Sequence, residues 1–253
     1  MSDSKLVDLD VFKTIINERA LRRNLSITFT KMKYALNEFL DINTPSLAKR
    51  ALFIGVGQGH NAILAMLEGR IENIDGVDPY VGSDGNDDYD YYELKKLISL
   101  YKLDDNFFIH KESIEEFLLK NKNKYDLIVI EDVLHHIFVT CELLSKSILY
   151  ESSKKLFWDL WEASSKGCIL AIAESPRNGL RPFLVKNRLL RESVDYSTKQ
   201  PSIEWCKVAN KKWSFISYKN YIPYSLRKFK LLLKYRFISP LFATKYFLYF
   251  RAK

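Results

Sequence analysis

Short apolar runs alternate with amphipathic segments through the middle of the chain. The runs have the length of buried strands, and the segments between them repeat apolar residues every three or four positions, as helices do. This alternation predicts a doubly wound α/β fold, in which a parallel sheet has helices on both faces. Strands are expected near residues 50–54, 73–77, 107–109, 126–130 and 168–173, and helices near 60–68, 91–101, 113–121, 134–144 and 152–164.

The two ends of the chain extend this core. Helical spacing over 10–24 and 26–40, broken at 44–46, predicts an N-terminal helical cap of residues 1–45 before a main domain of residues 46–253. Past the core, the same patterns predict a helix over 182–190 and strands over 212–222 and 245–251.

Residues 224–242, between the last two predicted strands, are rich in Lys, Arg and aromatic side chains. That composition suits a helix that binds a membrane interface or a partner, and Pro240 would end such a helix. It also suits an ordinary crossover whose leucines 231–233 face the sheet, because runs of leucine are usually core. Both interpretations stay open at this level.

A glycine-rich turn lies between the first predicted strand and the helix that follows it. Gly55, Gly57 and Gly59 occupy this turn in the run ALFIGVGQGHNAILAML, residues 51–67. Glycine allows a tight turn and lets a ligand lie against the backbone, and the next helix offers unpaired N–H groups at its N-terminus. Asp78 ends the second predicted strand nineteen residues after Gly59, where a carboxylate can accept both hydroxyls of a ribose. Together these features predict a pocket for a nucleotide-type ligand.

Four segments in order resemble the class I S-adenosylmethionine-dependent methyltransferases. They are the glycine run 55–59, the strand that ends at Asp78, the segment 107–113 and the run 125–137, which ends in Val-Leu-His-His-Ile. A dinucleotide fingerprint places its third glycine three residues after the second, whereas Gly57 and Gly59 are two apart, so the spacing argues against NAD. The resemblance covers about residues 49–174. It implies a Rossmann-like, doubly wound, seven-stranded sheet, mostly parallel with an antiparallel last strand, and S-adenosylmethionine as the cofactor.

The resemblance also implies roles for individual residues. Glu112, after the third strand, would accept from the adenine amine, and Ser113 would offer its backbone N–H to the adenine ring. Tyr80 would either cover the adenine or pack under a loop. Cofactor contacts are therefore expected from Gly55, Gly57, Gly59, Asp78, Tyr80, Glu112, Ser113 and Glu131.

The candidate catalytic residues follow the fourth predicted strand. Ligands in open α/β sheets bind outside the carboxyl ends of the strands, which places Asp132, His135 and His136 near the reactive methyl group. Transfer to a hydroxyl requires a base, and histidine titrates near neutral pH. On a helix that starts at Asp132 the two histidines would point about 100° apart. His136 is therefore the preferred base, with Asp132 orienting it from one helical turn earlier.

Two alternatives to this catalytic assignment stay open. One histidine could pack on the sheet while the other caps the helix locally. Asp132 and one histidine could also hold a metal, but two ligand types on one turn are thin evidence, and no metal is predicted.

Cysteine and hydropathy patterns bear on the compartment. Three cysteines at 141, 168 and 206 share no metal-ligand spacing and fit free thiols in a reducing cytosol. The first residues, MSDSKLVDLD, lack the apolar segment of a secretory signal, and no apolar run has the length of a membrane span. The expected location is the cytoplasm.

Charge is unevenly distributed along the chain. Residues 176–253 contain 18 Lys and Arg against three acidic residues, a formal charge of +15, whereas the remainder has 21 bases and 28 acids, a formal charge of −7. A basic segment suits an anionic partner, including the inner face of a membrane, or simply a solvated surface. The expected activity is O-methylation of a small molecule or glycan precursor, either anionic or lipid-linked.

Two other functions stay open. An RNA methyltransferase would suit the basic and aromatic composition. However, the Asn/Asp-Pro-Pro-aromatic run of amino-directed nucleic-acid methylases is absent, because residues 130–133 read Ile-Glu-Asp-Val. A non-catalytic protein that binds the cofactor or a partner is the third hypothesis.

Overall fold

A seven-stranded sheet organises the part of the chain that the computed structural model describes, which is residues 3–22, 28–41, 43–81, 86–190, 195–209, 211–229 and 239–253. Its order is β3-β2-β1-β4-β5-β7-β6. Strands β1 to β5 are parallel, and β7 is antiparallel to both β5 and β6. The strands are β1 Ala48–Ile54, β2 Ile71–Val77, β3 Phe107–His110, β4 Tyr125–Glu131, β5 Ser164–Glu174, β6 Trp213–Tyr221 and β7 Lys245–Ala252.

Helices connect the strands and cover both faces. Local signals explain some boundaries, since the side chain of Ser113 accepts from the backbone of Glu116 and forms a capping box at the start of α5. The helices of the described residues are α1 Asp3–Arg22, α2 Phe29–Phe39, α3 His60–Leu67, α4 Asp88–Leu100, α5 Ile114–Lys120, α6 Leu134–Ile137, α7 Tyr150–Glu162, α8 Leu180–Lys186, α9 Ser202–Ala209 and α10 Ser239–Phe242.

The sheet separates two hydrophobic clusters. Successive residues of β1 point to opposite faces, so Phe53 packs with helices α1 to α4 while Leu52 and Ile54 pack with α5, α7 and α9. Both faces of the sheet are therefore covered, which explains why residues 51–54 of β1, 127–130 of β4 and 168–173 of β5 are continuously apolar. The predicted doubly wound Rossmann-like sheet with antiparallel last strands is confirmed.

The N-terminal helices belong to the first of these clusters. Phe12 of α1 and Leu36 of α2 are buried with the sheet residues. The hydroxyl of Tyr249 in β7 donates to the carbonyl of Phe39 at 2.7 Å, and Lys219 of β6 binds Glu38. Helix α2 is thus attached to the last two strands. The division at residue 45 stays a prediction.

The predicted helix over 134–144 is wrong in length. Helix α6 ends at Ile137, and a separate 3₁₀ turn follows at Leu144–Lys146. The side chain of Gln200 accepts from the N–H of Leu144 at 3.0 Å and donates to the carbonyl of Glu142 at 2.9 Å. These contacts keep residues 138–143 out of a helix. Gln200 is more than fifty residues away in sequence, so no local pattern predicts them.

The end of the chain also departs from expectation. Helix α9 lies where the sequence predicts none. Pro240 is the second residue of the short helix α10, so it does not end that helix. The leucines at 231–233 lie outside the described residues.

The described residues contain neither a candidate membrane span nor a candidate metal-ligand cluster. No helix there combines the length and apolar character of a membrane span. No group of three His, Cys, Asp or Glu side chains there is arranged to hold a metal.

Candidate active site

The glycine turn between β1 and α3 has a backbone conformation that side chains disfavour. Gly55, Gly57 and Gly59 have φ angles of 70°, 51° and 66°, in the left-handed region that glycine adopts without steric cost. A Cβ atom on Gly55 would lie 2.7 Å from Cγ2 of Val133, and one on Gly57 would lie 2.6 Å from Nδ2 of Asn86. The turn therefore needs glycine for its shape and for its packing.

Asp78 follows β2 and faces this turn. Its Oδ2 atom accepts from the N–H of Gly57 at 3.0 Å and from Nδ2 of Asn86 at 3.1 Å, and its Oδ1 atom accepts from the N–H of Tyr80 at 3.0 Å. The residue is only 6% exposed. Because a carboxylate offers about four lone-pair positions, Asp78 keeps acceptor capacity for a ligand while it fixes the turn.

A cavity of about 790 Å³ opens beside the glycine turn. It lies where the strand order reverses between β1 and β4, at the carboxyl ends of these strands, with Met32 of α2 and Val139 on its apolar side. No Lys or Arg of the described residues lines it. The titratable side chains on its wall are those of His60, Asp78, Glu115, Glu131, Asp132 and His136.

One lysine binds two carboxylates at the end of β4. Nζ of Lys245, the first residue of β7, lies 2.8 Å from Oε1 of Glu131 and 2.5 Å from Oδ2 of Asp132. Burial would raise the pKa of Asp132, but the Lys245 ammonium more than offsets this and holds that pKa below its usual value. Burial would likewise lower the pKa of Lys245, and the two carboxylates raise it instead. Asp132 and Lys245 therefore stay ionised at neutral pH.

Asn61 of α3 joins this cluster to the glycine turn. Its Nδ2 atom donates to Oε2 of Glu131 at 2.7 Å. Its Oδ1 atom is buried without a hydrogen-bond partner although the residue lines the cavity. A buried acceptor of this kind is costly unless a donor reaches it, so Asn61 is suited to a ligand N–H group.

The two adjacent histidines of α6 have different surroundings. Nδ1 of His135 lies 2.8 Å from Oε2 of Glu174, whose Oε1 accepts from the N–H of Leu134 at 2.7 Å. His135 is buried, whereas His136 is exposed and lines the cavity. The two rings are in contact, with centroids 4.1 Å apart. Glu174 thus attaches α6 to the end of β5 and fixes the histidine that supports His136.

The helical relation expected between Asp132 and His136 is absent. Helix α6 begins at Leu134, and Asp132 has a left-handed φ of 51°. Its carboxylate binds Lys245 and accepts from Oγ of Ser175 at 3.3 Å. The assignment of His136 as the base stays a prediction, and the one-turn helical spacing from Asp132 does not support it.

A second lysine lies behind the cluster. Lys199 is 6% exposed. Burial lowers its pKa, against the opposing effects of Glu174 and Asp132. Two lysines, Lys199 and Lys245, therefore interact with the acidic groups at the ends of β4 and β5. Neither lysine was among the site residues predicted from the sequence.

The residues expected around the adenine are only partly on the cavity wall. Glu112 does not line it and instead binds Nζ of Lys120 at 2.5 Å. Ser113 lines it, but its backbone N–H donates to Oε2 of Glu116 at 3.3 Å and is already used. Tyr80 is buried outside the wall, where its hydroxyl donates to the carbonyl of Gly57 at 2.6 Å.

Helix α1 is attached directly to the glycine turn. Nη1 of Arg19 lies 3.0 Å from Nε2 of His60, and Nη2 lies 3.5 Å from Oδ1 of Asp90. Gln58 of the turn donates to the same carboxylate. These contacts put the N-terminal helices beside the cavity.

Asn61 and Lys245 were not among the site residues predicted from the sequence, because the signals for them are weak or distant in sequence. Asn61 is the second residue of α3, and a polar side chain within an otherwise apolar run was the available signal. Lys245 opens an apolar strand, and its partner Glu131 is 114 residues earlier, so nothing local pairs them.

No protein-family model and no curated protein sequence matches this chain. Its fold is similar to that of a putative S-adenosylmethionine-dependent methyltransferase from Listeria monocytogenes, at 12% identity and a TM-score of 0.57, over 88% of this chain and 99% of that one. It is also similar to the N-methyltransferase NodS from Bradyrhizobium japonicum, at 10% identity and a TM-score of 0.53, over 88% and 94%. NodS in complex with S-adenosyl-L-homocysteine matches at 10% identity and a TM-score of 0.52, over 87% and 86%. The chain therefore has the fold of the class I methyltransferases.

Proposed function

We propose that this protein is an S-adenosylmethionine-dependent methyltransferase that acts on a small-molecule acceptor. One observation carries the proposal: three left-handed glycines lie against the carboxylate of Asp78 on the wall of a cavity, at the point where the strand order reverses. Open α/β sheets bind nucleotide-type ligands at such switch points. The fold shared with methyltransferases supports the same reading.

The cavity residues fit this cofactor. A volume of about 790 Å³ is within the range of small-molecule sites. The backbone of the glycine turn would hold the methionine and ribose, Asp78 would accept from the ribose hydroxyls, and the unpartnered Oδ1 of Asn61 would accept from the amino group. The wall at Ser113 and Glu115 would take the adenine. When bound, the cofactor supplies a methyl group already activated for displacement.

The other side of the cavity suits a neutral reacting group. Lys245 offsets one of the two negative charges of Glu131 and Asp132, so an anionic reacting group is disfavoured here, and Met32 and Val139 provide apolar contacts. An acceptor hydroxyl in this space would give its proton to His136, the histidine on the wall. This supports methylation of oxygen on a small molecule or glycan precursor, and it makes His135 and Glu174 positioning residues for His136.

The acceptor can still carry an anionic or lipid group outside the cavity. No Lys or Arg of the described residues lines the wall, so an anionic group has no cation to bind inside. We propose that the positive charge of the C-terminal third attracts such a group outside the cavity. An anionic or lipid-linked acceptor would enter with its hydroxyl first.

The test is calorimetry of the full chain with S-adenosyl-L-homocysteine, with NAD as the comparison ligand. We expect saturable binding of the homocysteine derivative only. Methyl transfer from labelled donor to candidate acceptors, grouped as hydroxylated lipids, glycans and RNA, follows. Absence of binding by both the donor and its demethylated product would overturn the proposal, and binding without transfer to any class would favour a non-catalytic role.

A further inference from the structure

We propose that a surface beside the cavity mouth binds the anionic face of a lipid bilayer and that the methyl acceptor is reached from that face. This inference rests on the proposed function and names where its acceptor comes from. The surface, called the rim surface below, consists of the exposed side chains of Phe183, Lys186, Arg188, Leu189, Leu241 and Phe242.

Large apolar side chains project from the rim surface into solvent. Phe183 is 57% exposed, Leu189 is 70% exposed and Leu241 is 51% exposed. Leu189 is held in place, because its N–H donates to the carbonyl of Leu184 at 2.8 Å where the chain turns back at the end of α8. Apolar residues fixed in an exposed position mark a surface that meets another apolar phase or molecule.

The two short helices that carry the rim surface are in contact. Gly179, just before α8, has a φ of 148°, and a Cβ atom there would lie 3.1 Å from the carbonyl oxygen of Pro240 in α10. Only glycine lets the two backbones approach this closely. Ser239 of α10 is further held by a 2.8 Å hydrogen bond from Asn220 at the end of β6. The start of α8 is therefore adjacent to α10, so that the exposed apolar side chains of the rim surface belong to neighbouring elements.

Topology places the rim surface at the edge of the sheet that bears the cavity. Helix α8 begins six residues after Glu174, the end of β5, and α10 ends three residues before Lys245, the start of antiparallel β7. Glu174 supports the histidines, and Lys245 binds the two carboxylates of the cavity wall. Three residues span at most about 11 Å, so Phe242 lies within that distance of the cluster along the chain.

Charge identifies the occupant as anionic. Residues 176–190 contain four Lys and Arg and no Asp or Glu, and residues 239–244 contain no acidic residue. Lys186 and Arg188 are exposed beside the apolar side chains. Basic and apolar residues that alternate on one exposed face are the pattern of helices that lie in the interface of anionic membranes.

A bilayer fits the rim surface better than RNA does. Single-stranded RNA is bound by aromatic rings on which bases stack. Leu189, the most exposed apolar side chain of the rim surface, and Leu241 offer no ring, so Phe183 and Phe242 alone could stack on bases. Aliphatic side chains gain instead by insertion into the acyl boundary of a membrane.

Sedimentation with lipid vesicles tests the proposal on the full chain. Vesicles of phosphatidylcholine mixed with phosphatidylglycerol should carry the protein down, and vesicles of phosphatidylcholine alone should not. Each of Lys186→Gln and Arg188→Gln should weaken binding about fivefold. The double variant Leu189→Ser/Leu241→Ser should weaken it about tenfold, and raised salt should weaken only the charge-dependent part.

The matched control is Leu119→Ser/Lys166→Gln, at the opposite edge of the sheet. Leu119 is 74% exposed at the end of α5 and Lys166 is exposed at the start of β5, so this pair removes one apolar and one basic side chain of the same kinds. It should bind vesicles as the wild type does. Thermal unfolding of all variants should be unchanged, because every altered side chain is exposed.

Several results would overturn the proposal. These are equal binding to both kinds of vesicle, rim variants that bind as well as the wild type, or salt-dependent binding of generic RNA without vesicle binding. Calorimetry with S-adenosyl-L-homocysteine on the same samples separates the two claims. Cofactor binding without vesicle binding rejects the rim surface alone, and vesicle binding without cofactor binding rejects the methyltransferase proposal.

Discussion

The two sides of the cavity are built in different ways. On the cofactor side, Asp78 reaches Gly57 across 21 residues of sequence, and the contact is to backbone. On the acceptor side, Lys245 reaches Glu131 across 114 residues through an ion pair between side chains. The first side is encoded in one continuous stretch, whereas the second exists only once β4 and β7 lie at the same edge of the sheet. Changes on the cofactor side should therefore affect ligand affinity, and changes on the acceptor side should affect turnover and stability.

The largest expected effect is on turnover. His136→Ala should slow methyl transfer by about 10² to 10⁴-fold, because it removes the histidine on the cavity wall that would take the acceptor proton. Affinity for S-adenosyl-L-homocysteine should not change. Steady-state rates and calorimetry measure the two quantities, with His110→Gln, on β3 away from the cavity, as the control. Full activity of the alanine variant would remove His136 from the mechanism.

A smaller effect is expected on cofactor affinity. Asp78→Asn should weaken binding of S-adenosyl-L-homocysteine by about a hundredfold, because two charge-assisted hydrogen bonds to ribose would be lost. Asp126→Asn is the matched control, since Asp126 also accepts from two backbone N–H groups, those of Lys49 and Arg50, but at the opposite edge of the sheet. Equal affinity of both variants in calorimetry would reject the ribose assignment.

Lys245→Met tests the acceptor side through stability. The variant leaves Glu131 and Asp132 without their common partner, which should cost about 2 kcal/mol of unfolding free energy, less than for a fully buried pair because all three groups are partly exposed. Turnover should fall as well. Lys219→Met is the control, because Lys219 also binds two carboxylates, of Glu38 and Asp41, but far from the cavity. It should leave turnover intact.

The stability contributed by the ion pair of Asp132 with Lys245 depends on pH, because the pKa of Asp132 is lowered in the folded state. A carboxyl group whose pKa is lower in the folded state stabilises the fold above its unfolded pKa, and this contribution is lost as the pH falls through the folded value. The stability difference between wild type and Lys245→Met should therefore shrink below about pH 4. Chemical unfolding across a pH series measures it, and a difference that grows in acid would contradict the assignment.

The smallest expected effect separates a helix cap from a ligand contact. Ser113→Ala should lower stability by about 1 kcal/mol through loss of the capping box. It should leave cofactor affinity unchanged, because the backbone N–H of Ser113 already donates to Glu116. Thermal unfolding and calorimetry report the two effects. A clear loss of affinity would show that the hydroxyl of Ser113 itself binds the ligand.

The sequence predicted the parts of the fold that local patterns specify. Apolar runs located the strands of the sheet, and the turn at Gly55–Gly59 with Asp78 located the cavity, because their contacts are short in sequence. The length of α6 could not be predicted, since Glu174 and Gln200 determine it from other elements. Glu112 shows the same limit, because its position after β3 is right while its side chain turns to Lys120.

The hydrogen bond from Tyr249 to Phe39 joins positions 210 residues apart. At about 5 to 20 residues per second, a ribosome needs on the order of ten to forty seconds to make the intervening chain. Throughout that interval α2 cannot form its contact with β7. The apolar side chains that α2 and β7 later bury against each other are therefore accessible to chaperones and proteases. A nascent chain that stops before the last strand would therefore be recognisable as unfinished by those side chains alone.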